Sequence, residues 1–219
     1  MKTTRRVFVN GIGAAALSAG LAGGIGLGAV APAAAESYDL DKLMKAGPLG
    51  EQSIGDENAP VTVIEYASLT CGHCANFHTQ TFPEIKKKYV ETGKVRFIFR
   101  EFPFDPRATA GFMLSRCAPS DRYFDMLGLL FSQMADWAFT NEPVKVLFNL
   151  SKQVGFTQET FNACLTNQEL LDGVSWVRDY AAKEFEVNST PTFFINGQKQ
   201  VGALTVEEMS KLLDEALGG

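Results

Sequence analysis

The chain is poor in histidine, cysteine and long apolar runs, and each shortage narrows the classes of function open to it. Its 219 residues include 2 histidines and 4 cysteines. Both histidines stand close to one pair of cysteines, and no second Cys/His cluster has the spacing of a zinc site. Beyond residue 30 no stretch is apolar enough to cross a membrane.

Positive charge is also scarce. Lysine and arginine total 20 against 25 acidic residues, a formal net charge of -5. Lys2, Arg5 and Arg6 precede the first acidic residue, Glu36, and without them 17 basic residues face 25 acidic ones. No Lys/Arg-rich stretch outweighs this acidic balance, so a nucleic acid is not expected as a partner.

The first 35 residues are expected to be a cleaved signal peptide. Paired arginines, Arg5-Arg6, stand before a mildly apolar stretch rich in glycine and alanine, and the Ala33-x-Ala35 pattern marks a cleavage site before Glu36. The pair resembles a twin-arginine export signal. An ordinary Sec signal and an uncleaved membrane anchor are the alternatives, and the glycines argue against the anchor. All three predict a periplasmic or otherwise exported domain, and four cysteines fit an oxidising compartment.

The remaining chain, with 46% hydrophobic and 21% charged residues overall, suits one globular domain with an insertion. Apolar runs predict strands at 61–67 and 94–100, joined by a helix that Pro83 should kink, and therefore a β-α-β unit with a parallel sheet. Only helical patterns follow from residue 106 to 167, one of them capped by Ser120. A strand at 192–195, a hairpin and a final helix close the chain.

Two cysteines two residues apart, Cys71 and Cys74, stand where the first strand gives way to the helix. The first cysteine meets unpaired backbone N–H groups and the positive end of the helix dipole, and both favour its thiolate. Because thiolates attack disulfides, the motif predicts dithiol exchange. A static disulfide, or half a zinc site completed by His73 and His78, is the alternative; otherwise His78 is expected at the surface or at a groove edge.

These motifs, with Thr190-Pro191 ahead of a late strand, resemble the thioredoxin fold. The inserted helical block is similar to the DsbA branch of thiol-disulfide oxidoreductases. The resemblance implies an α/β fold in which a central mixed β-sheet is flanked by helices. Its thioredoxin-like domain would comprise residues 36–104 and 172–219, and its all-helical insertion residues 105–171.

The resemblance also implies roles for single residues. Cys71 would be the nucleophile and Cys74 the resolving cysteine, with His73 lowering the pKa of Cys71. Gly72 departs from the family, because enteric DsbA has Pro-His between its cysteines and Gly-His is typical of protein disulfide isomerase. Glu65, six residues before Cys71, matches the family's buried acid; its alternative is an acid paired with a nearby lysine.

Two further expectations concern Thr190-Pro191 and the two remaining cysteines. Thr190-Pro191 should be a cis peptide whose loop faces the cysteines and pairs with an extended substrate; enteric DsbA has valine in place of Thr190. Cys117 and Cys164 predict a structural disulfide, or else two separate buried thiols.

The predicted function is the introduction of disulfides into newly exported polypeptides, without a metal or organic cofactor. By resemblance, a DsbB-like membrane quinone oxidoreductase would reoxidise the protein, which is expected to be a monomer. A periplasmic disulfide isomerase or reductase is the main alternative, favoured by Gly72 and Thr190. A non-catalytic metal-binding or chaperone-like module is the other alternative.

Overall fold

A computed structural model describes residues 37–218, so the predicted signal peptide lies outside the described residues. The chain forms a five-stranded mixed sheet in the order β1-β3-β2-β4-β5. β2 and β3 are parallel, and the other neighbouring pairs are antiparallel. The strands are β1 (Gln52–Ile54), β2 (Val61–Ala67), β3 (Val95–Glu101), β4 (Thr192–Ile195) and β5 (Gln198–Val201).

Helices cover both faces of this sheet. In chain order they are α1 (Leu40–Leu43), α2 (Gly72–Asn76), α3 (Phe82–Ile85), α4 (Pro106–Cys117), α5 (Tyr123–Ser132), α6 (Met134–Ala138), α7 (Pro143–Ser151), α8 (Gln158–Leu165), α9 (Gln168–Glu184) and α10 (Val206–Ala216). Within residues 37–218 no helix is long and apolar enough to span a membrane.

β2 lies at the centre of the sheet, as its nearly continuous apolar sequence predicts. Val61 and Val63 contact the larger core, which also includes the helix after the cysteine pair and the helical block. Ile64 and Tyr66 point to the opposite face and pack beneath α9. Because side chains alternate along a strand, both faces of β2 are buried, and its end is held rigidly where the cysteine motif begins.

The helix that follows the cysteine pair changes type along its length. α2 continues into a π-helical turn (Phe77–Thr81), then α3, then a second π-helical turn (Lys86–Val90). Pro83 has no N–H to donate to the carbonyl of residue 79, so a regular α-helical ladder is interrupted there. At the place where Pro83 was predicted to kink the helix, the structure has a wider, π-helical turn just before the proline.

A block of helices, α4 to α8, separates β3 from the last helix before β4. Asp105 begins the block by accepting hydrogen bonds from the N–H groups of Arg107 and Ala108, at 2.8 and 3.0 Å. The prediction that Ser120 caps a helix is wrong, because Ser120 begins a short 3-10 turn and Arg122 stands at the N-cap of α5. The predicted boundary at residues 171 and 172 falls inside α9, and the exact domain division stays a prediction.

Candidate active site

Cys71 is the N-cap residue of α2 and follows the loop that leaves β2. Its backbone is extended, with φ -92° and ψ 119°, and its carbonyl accepts the N–H of Ala75 at 3.0 Å. The preceding Thr70 hydroxyl donates to the Asp105 carboxylate at 2.5 Å. Because Asp105 also caps α4, the loop carrying Cys71 is fastened to the helical block.

The environment of the half-buried Cys71 sulfur favours its thiolate. A hydrogen bond from the Cys74 thiol is the largest effect that lowers the Cys71 pKa, and burial opposes it. The Thr190 side chain and the backbone N–H groups of Cys74 and His73 lower it further. The net result is a pKa of about 5. At neutral pH the sulfur of reduced Cys71 is therefore a thiolate.

Cys74 lies one helical turn further in and has no exposed surface. Burial raises the pKa of its thiol, and its hydrogen bond to Cys71 and the charge of Glu65 raise it further. Cys71 and Cys74 are both free thiols in the structure. The two sulfurs thus differ in protonation, with an accessible thiolate beside a buried thiol.

The residues between the cysteines are both exposed. His73 acts on Cys71 through its backbone N–H, one of the groups that lower the Cys71 pKa. A Cβ added at Gly72 would meet no atom within 4 Å. Gly72 is therefore not required for steric reasons, and larger residues fit at this position.

Thr190 and Pro191 face the cysteines across the end of the sheet. Their peptide bond is cis, and the Cys71 sulfur lies 3.3 Å from the Thr190 carbonyl oxygen, to which it donates when it is protonated. The Pro191 carbonyl oxygen accepts the N–H of Gly202 at 2.9 Å, which ties the loop to the end of β5. The Thr190 hydroxyl is buried and is one of the groups that lower the Cys71 pKa.

Glu65 lies on β2 between Phe99 of β3 and Phe193 of β4, with no exposed surface. Its Oε2 lies 2.8 Å from Nε2 of His78. Its Oε1 has no hydrogen-bond partner within residues 37–218. The partner of the buried acid is therefore a histidine and not a lysine.

Sequence reasoning misplaced His78. The expectation of a surface or groove-edge side chain is wrong, because the imidazole is buried and stacks on Phe131 of α5 at 4.1 Å between ring centroids. A signal was available: His78 stands four residues after Cys74, so both side chains lie on the same helical face. That face is buried because it packs against β2 and α5.

Cys117 and Cys164 are joined by a disulfide with an S–S distance of 2.15 Å. The bond links the last residue of α4 to α8, within the helical block. The Cys71 and Cys74 thiols stand at the start of α2 and take no part in this bond. Across the described part of the chain, no three His, Cys, Asp or Glu side chains are grouped to hold a metal ion.

Comparison with known proteins places this site in a family. Residues 49–215 match the model of the family described as Thioredoxin. A Rickettsia conorii protein named as a protein-disulfide oxidoreductase is 32% identical over 165 residues, which are 75% of this chain and 59% of that protein. The chain thus spans about three fifths of that relative's length.

The match to two further proteins covers a larger share of their own length. Disulfide bond formation protein D of Bacillus subtilis is 25% identical, over 78% of each chain. The crystal structure of alpha-DsbA1 from Wolbachia pipientis superposes with a TM-score of 0.76 and 31% identity, covering 81% of this chain and 96% of the other. The predicted fold class, a thioredoxin fold with an inserted helical domain, is confirmed. The chain therefore belongs to the thioredoxin family, and within it to the DsbA-like proteins.

Proposed function

We propose that this protein is an exported thiol-disulfide oxidoreductase that introduces disulfides into newly exported polypeptides through Cys71 and Cys74. The observation that carries the proposal is the contrast between the two sulfurs, a half-buried Cys71 with a pKa of about 5 and a buried Cys74 thiol. A stabilised thiolate lowers the free energy of the reduced form, which makes the disulfide form a stronger oxidant.

In the proposed reaction a substrate thiolate attacks the Cys71 sulfur of the Cys71–Cys74 disulfide. The Cys71–Cys74 bond breaks, its electron pair stays on Cys74, and Cys74 takes up a proton. A second substrate thiolate then attacks the substrate sulfur of the mixed disulfide, and Cys71 leaves as a thiolate. The substrate loses two electrons and the Cys71–Cys74 pair gains them.

The surroundings have supporting roles in this proposal. The Cys71 sulfur lies 3.3 Å from the Thr190 carbonyl oxygen, so a polypeptide joined to Cys71 would run beside the loop of Thr190 and Pro191. Glu65 would exchange a proton with Cys74. The Cys117–Cys164 disulfide would fasten α4 to α8.

The proposed setting is the periplasm, after a signal peptide of residues 1–35 is cleaved. The substrates would be reduced exported polypeptides, and a DsbB-like membrane quinone oxidoreductase would restore the disulfide form. The protein would be a monomer and would not bind nucleic acid. Replacing both Arg5 and Arg6 with lysine should block export if the twin-arginine pathway is used, whereas unchanged export would point to the Sec pathway.

The decisive experiment presents the oxidised protein with reduced, unfolded ribonuclease A and counts the thiols that disappear. One substrate disulfide should form for each Cys71–Cys74 disulfide consumed, and Cys71→Ser should abolish the reaction. Cys74→Ser, which cannot form the Cys71–Cys74 disulfide, should be equally inactive. No loss of substrate thiols to a protein with an intact Cys71–Cys74 disulfide would refute the proposal.

A disulfide isomerase or reductase is the second candidate, and two features favour it: Gly72 gives the Gly-His pair typical of protein disulfide isomerase, and Thr190 stands where enteric DsbA has valine. An isomerase must rest in the reduced state in the cell. Trapping the thiols of cells with an alkylating reagent separates the two candidates. A Cys71–Cys74 pair that is mostly disulfide supports the oxidase, and a pair that is mostly dithiol supports the isomerase.

A further inference from the structure

His78 connects the buried acid of the site to the protein surface. Its Nε2 lies 2.8 Å from Oε2 of Glu65. The Glu65 side chain has no exposed surface, whereas 3% of the His78 side chain is exposed. Of the two, the imidazole is therefore the one that reaches solvent.

The imidazole is otherwise enclosed by apolar rings. Four phenylalanine side chains surround it at centroid distances of 4.1 to 5.6 Å: Phe77, Phe82, Phe99 and Phe131. They come from the helix after the cysteines, from β3 and from α5. In the described part of the chain, the contact with Glu65 is the one hydrogen bond or ion pair that the imidazole makes. The titratable groups next to the imidazole, among the described residues, are thus Glu65 and, beyond it, Cys74.

A proton must reach or leave Cys74 in each turnover of the proposed reaction. Cys74 is fully buried, and the effect of the Glu65 charge on its thiol places that carboxyl group nearby. Glu65 can exchange the proton with Cys74, but it has no exposed surface through which to exchange it with water. The chain needs a further group between Glu65 and solvent.

We propose that His78 is that group, a positioning residue that relays protons between solvent and Glu65; this rests on the dithiol exchange proposed above. When the Cys71–Cys74 bond breaks, the electron pair stays on Cys74, and a proton from water passes through the imidazole and the Glu65 carboxylate to that sulfur. When the disulfide re-forms, the proton of Cys74 leaves along the same route, and neither Glu65 nor His78 changes oxidation state.

The alternative is that His78 only fills the core between the helix and α5. The two roles predict different responses to substitution. His78→Gln keeps an amide N–H close to the position of Nε2 but cannot relay a proton. Phe131→Leu removes the ring stacked on His78 and leaves the path from solvent to Glu65 in place. A packing role would make both variants less stable and leave the proton chemistry of both unchanged.

The test uses the mixed disulfide between Cys71 and glutathione, prepared on the full chain. In a single turnover Cys74 displaces glutathione, and mass spectrometry of quenched samples gives the rate. His78→Gln should slow this step about tenfold, less than the loss of a direct acid or base because Glu65 remains. Its pH–rate profile should lose one inflection, whereas Phe131→Leu should keep the wild-type rate and profile.

Chemical rescue gives an independent readout. His78→Ala opens a space beside Glu65 that free imidazole can enter, so added imidazole should accelerate the slowed step in this variant and have no effect on the wild type. Circular dichroism tests whether each variant is folded. If His78→Ala does not fold, the pH–rate profile of His78→Gln decides between the two roles. A wild-type rate and profile in His78→Gln, or a folded His78→Ala that imidazole does not accelerate, would overturn the relay.

This assay needs no protein substrate, so it separates the relay from the proposed function. If the wild type resolves its glutathione adduct but oxidises no polypeptide, the proposed function fails and the relay is still tested. If polypeptides are oxidised and His78→Gln matches the wild type, only the relay fails.

Discussion

The Cys71 sulfur lies 3.3 Å from the carbonyl oxygen of Thr190, a residue 119 positions further along the chain. This contact brings the cysteine at the helix N-terminus against the loop of the cis peptide bond between Thr190 and Pro191. Fixed backbone groups on two elements therefore surround the sulfur. The carbonyl oxygen itself favours the protonated thiol, so the acidity of Cys71 comes from the groups that donate to its sulfur, the Cys74 thiol and the backbone N–H groups of Cys74 and His73. Several measurements can test it.

The first prediction concerns the titration of Cys71. Because the Cys74 thiol, the Thr190 side chain and the backbone N–H groups of Cys74 and His73 stabilise the thiolate, its pKa should be about 5. The ultraviolet absorbance of the thiolate, followed in the reduced protein as pH is lowered, gives the midpoint. The oxidised protein should show no such transition. A midpoint near the ordinary thiol value of about 8.5 would contradict the geometry of the site.

The second prediction concerns how the reduction potential of the Cys71–Cys74 pair depends on pH. Below pH 5 reduction consumes two protons, so the potential should fall by about 59 mV per pH unit. Above pH 5 Cys71 stays a thiolate and only Cys74 takes a proton, so the fall should lessen to about 30 mV per unit. Because the Cys74 pKa is raised, no second break should appear at neutral pH. Equilibration with a dithiol of known potential at several pH values measures the slope.

The third prediction uses two proline substitutions in the first turn of α2. His73→Pro removes a backbone N–H that lowers the Cys71 pKa, so it should raise that pKa and make the pair more reducing. Gly72→Pro is the matched control, because Gly72 is the first helical residue and its N–H is not among the main groups that lower the pKa. Proline is tolerated at such positions.

His73→Ala completes the series by removing the imidazole and keeping the N–H. If the backbone is what acts, His73→Ala should change the Cys71 pKa less than His73→Pro does. An equal rise of the Cys71 pKa in both variants would mean that the imidazole is the group that lowers it, as the sequence predicts. The thiolate absorbance gives the Cys71 pKa of all three variants under the same conditions.

Much of the fold follows from local patterns in the sequence. The continuous apolar run at residues 61–67, and the strand and hairpin signals at residues 192–201, predict β2, β4 and β5 with correct bounds. Asn196-Gly197 and the capping box of Thr205 and Glu208 have their effects within a few residues, and the structure contains both the hairpin and the cap. Local chemistry therefore suffices for these elements.

Features that depend on distant residues were less predictable. Lysine was the one partner considered for Glu65, as an alternative to an acid buried alone, whereas the structure supplies His78 from a helical segment 13 residues away. The ring that stacks on His78 comes from Phe131 in the inserted block. Ser120 has the side chain of a helix cap, but the chain forms a 3-10 turn there first. Tertiary packing decided the two cases that involve His78.

The fourth prediction concerns the Cys117–Cys164 disulfide. It closes a loop with a sequence separation of 47, for which chain entropy gives about 4 kcal/mol of stabilisation. Replacing both cysteines with alanine should lower the free energy of unfolding by up to about that amount. Urea denaturation without reductant, with Cys71→Ser and Cys74→Ser present in both the parent and the variant, isolates the effect. Equal stability of the variant and the parent would mean that the bond is absent in solution or stabilises nothing.

The fifth prediction concerns the buried pair of Glu101 and Arg116, which joins β3 to α4. Glu101 has no exposed surface, 5% of the Arg116 side chain is exposed, and their closest atoms lie 2.5 Å apart. The hydroxyl of Tyr123 also donates to Glu101, at 2.9 Å. Arg116→Met would leave a buried carboxylate without its cation, and should lower the free energy of unfolding by about 3 kcal/mol or more.

Arg122 provides the matched control, because its pair with Asp125 has side chains that are 41% and 60% exposed. Arg122→Met should change the free energy of unfolding by less than about 1 kcal/mol. Adding Glu101→Gln to Arg116→Met should restore part of the lost stability, since the unpaired charge is then removed. Urea denaturation of the three variants compares them directly. If the two single arginine variants lost equal stability, the penalty of an unpaired buried carboxylate would not explain the effect.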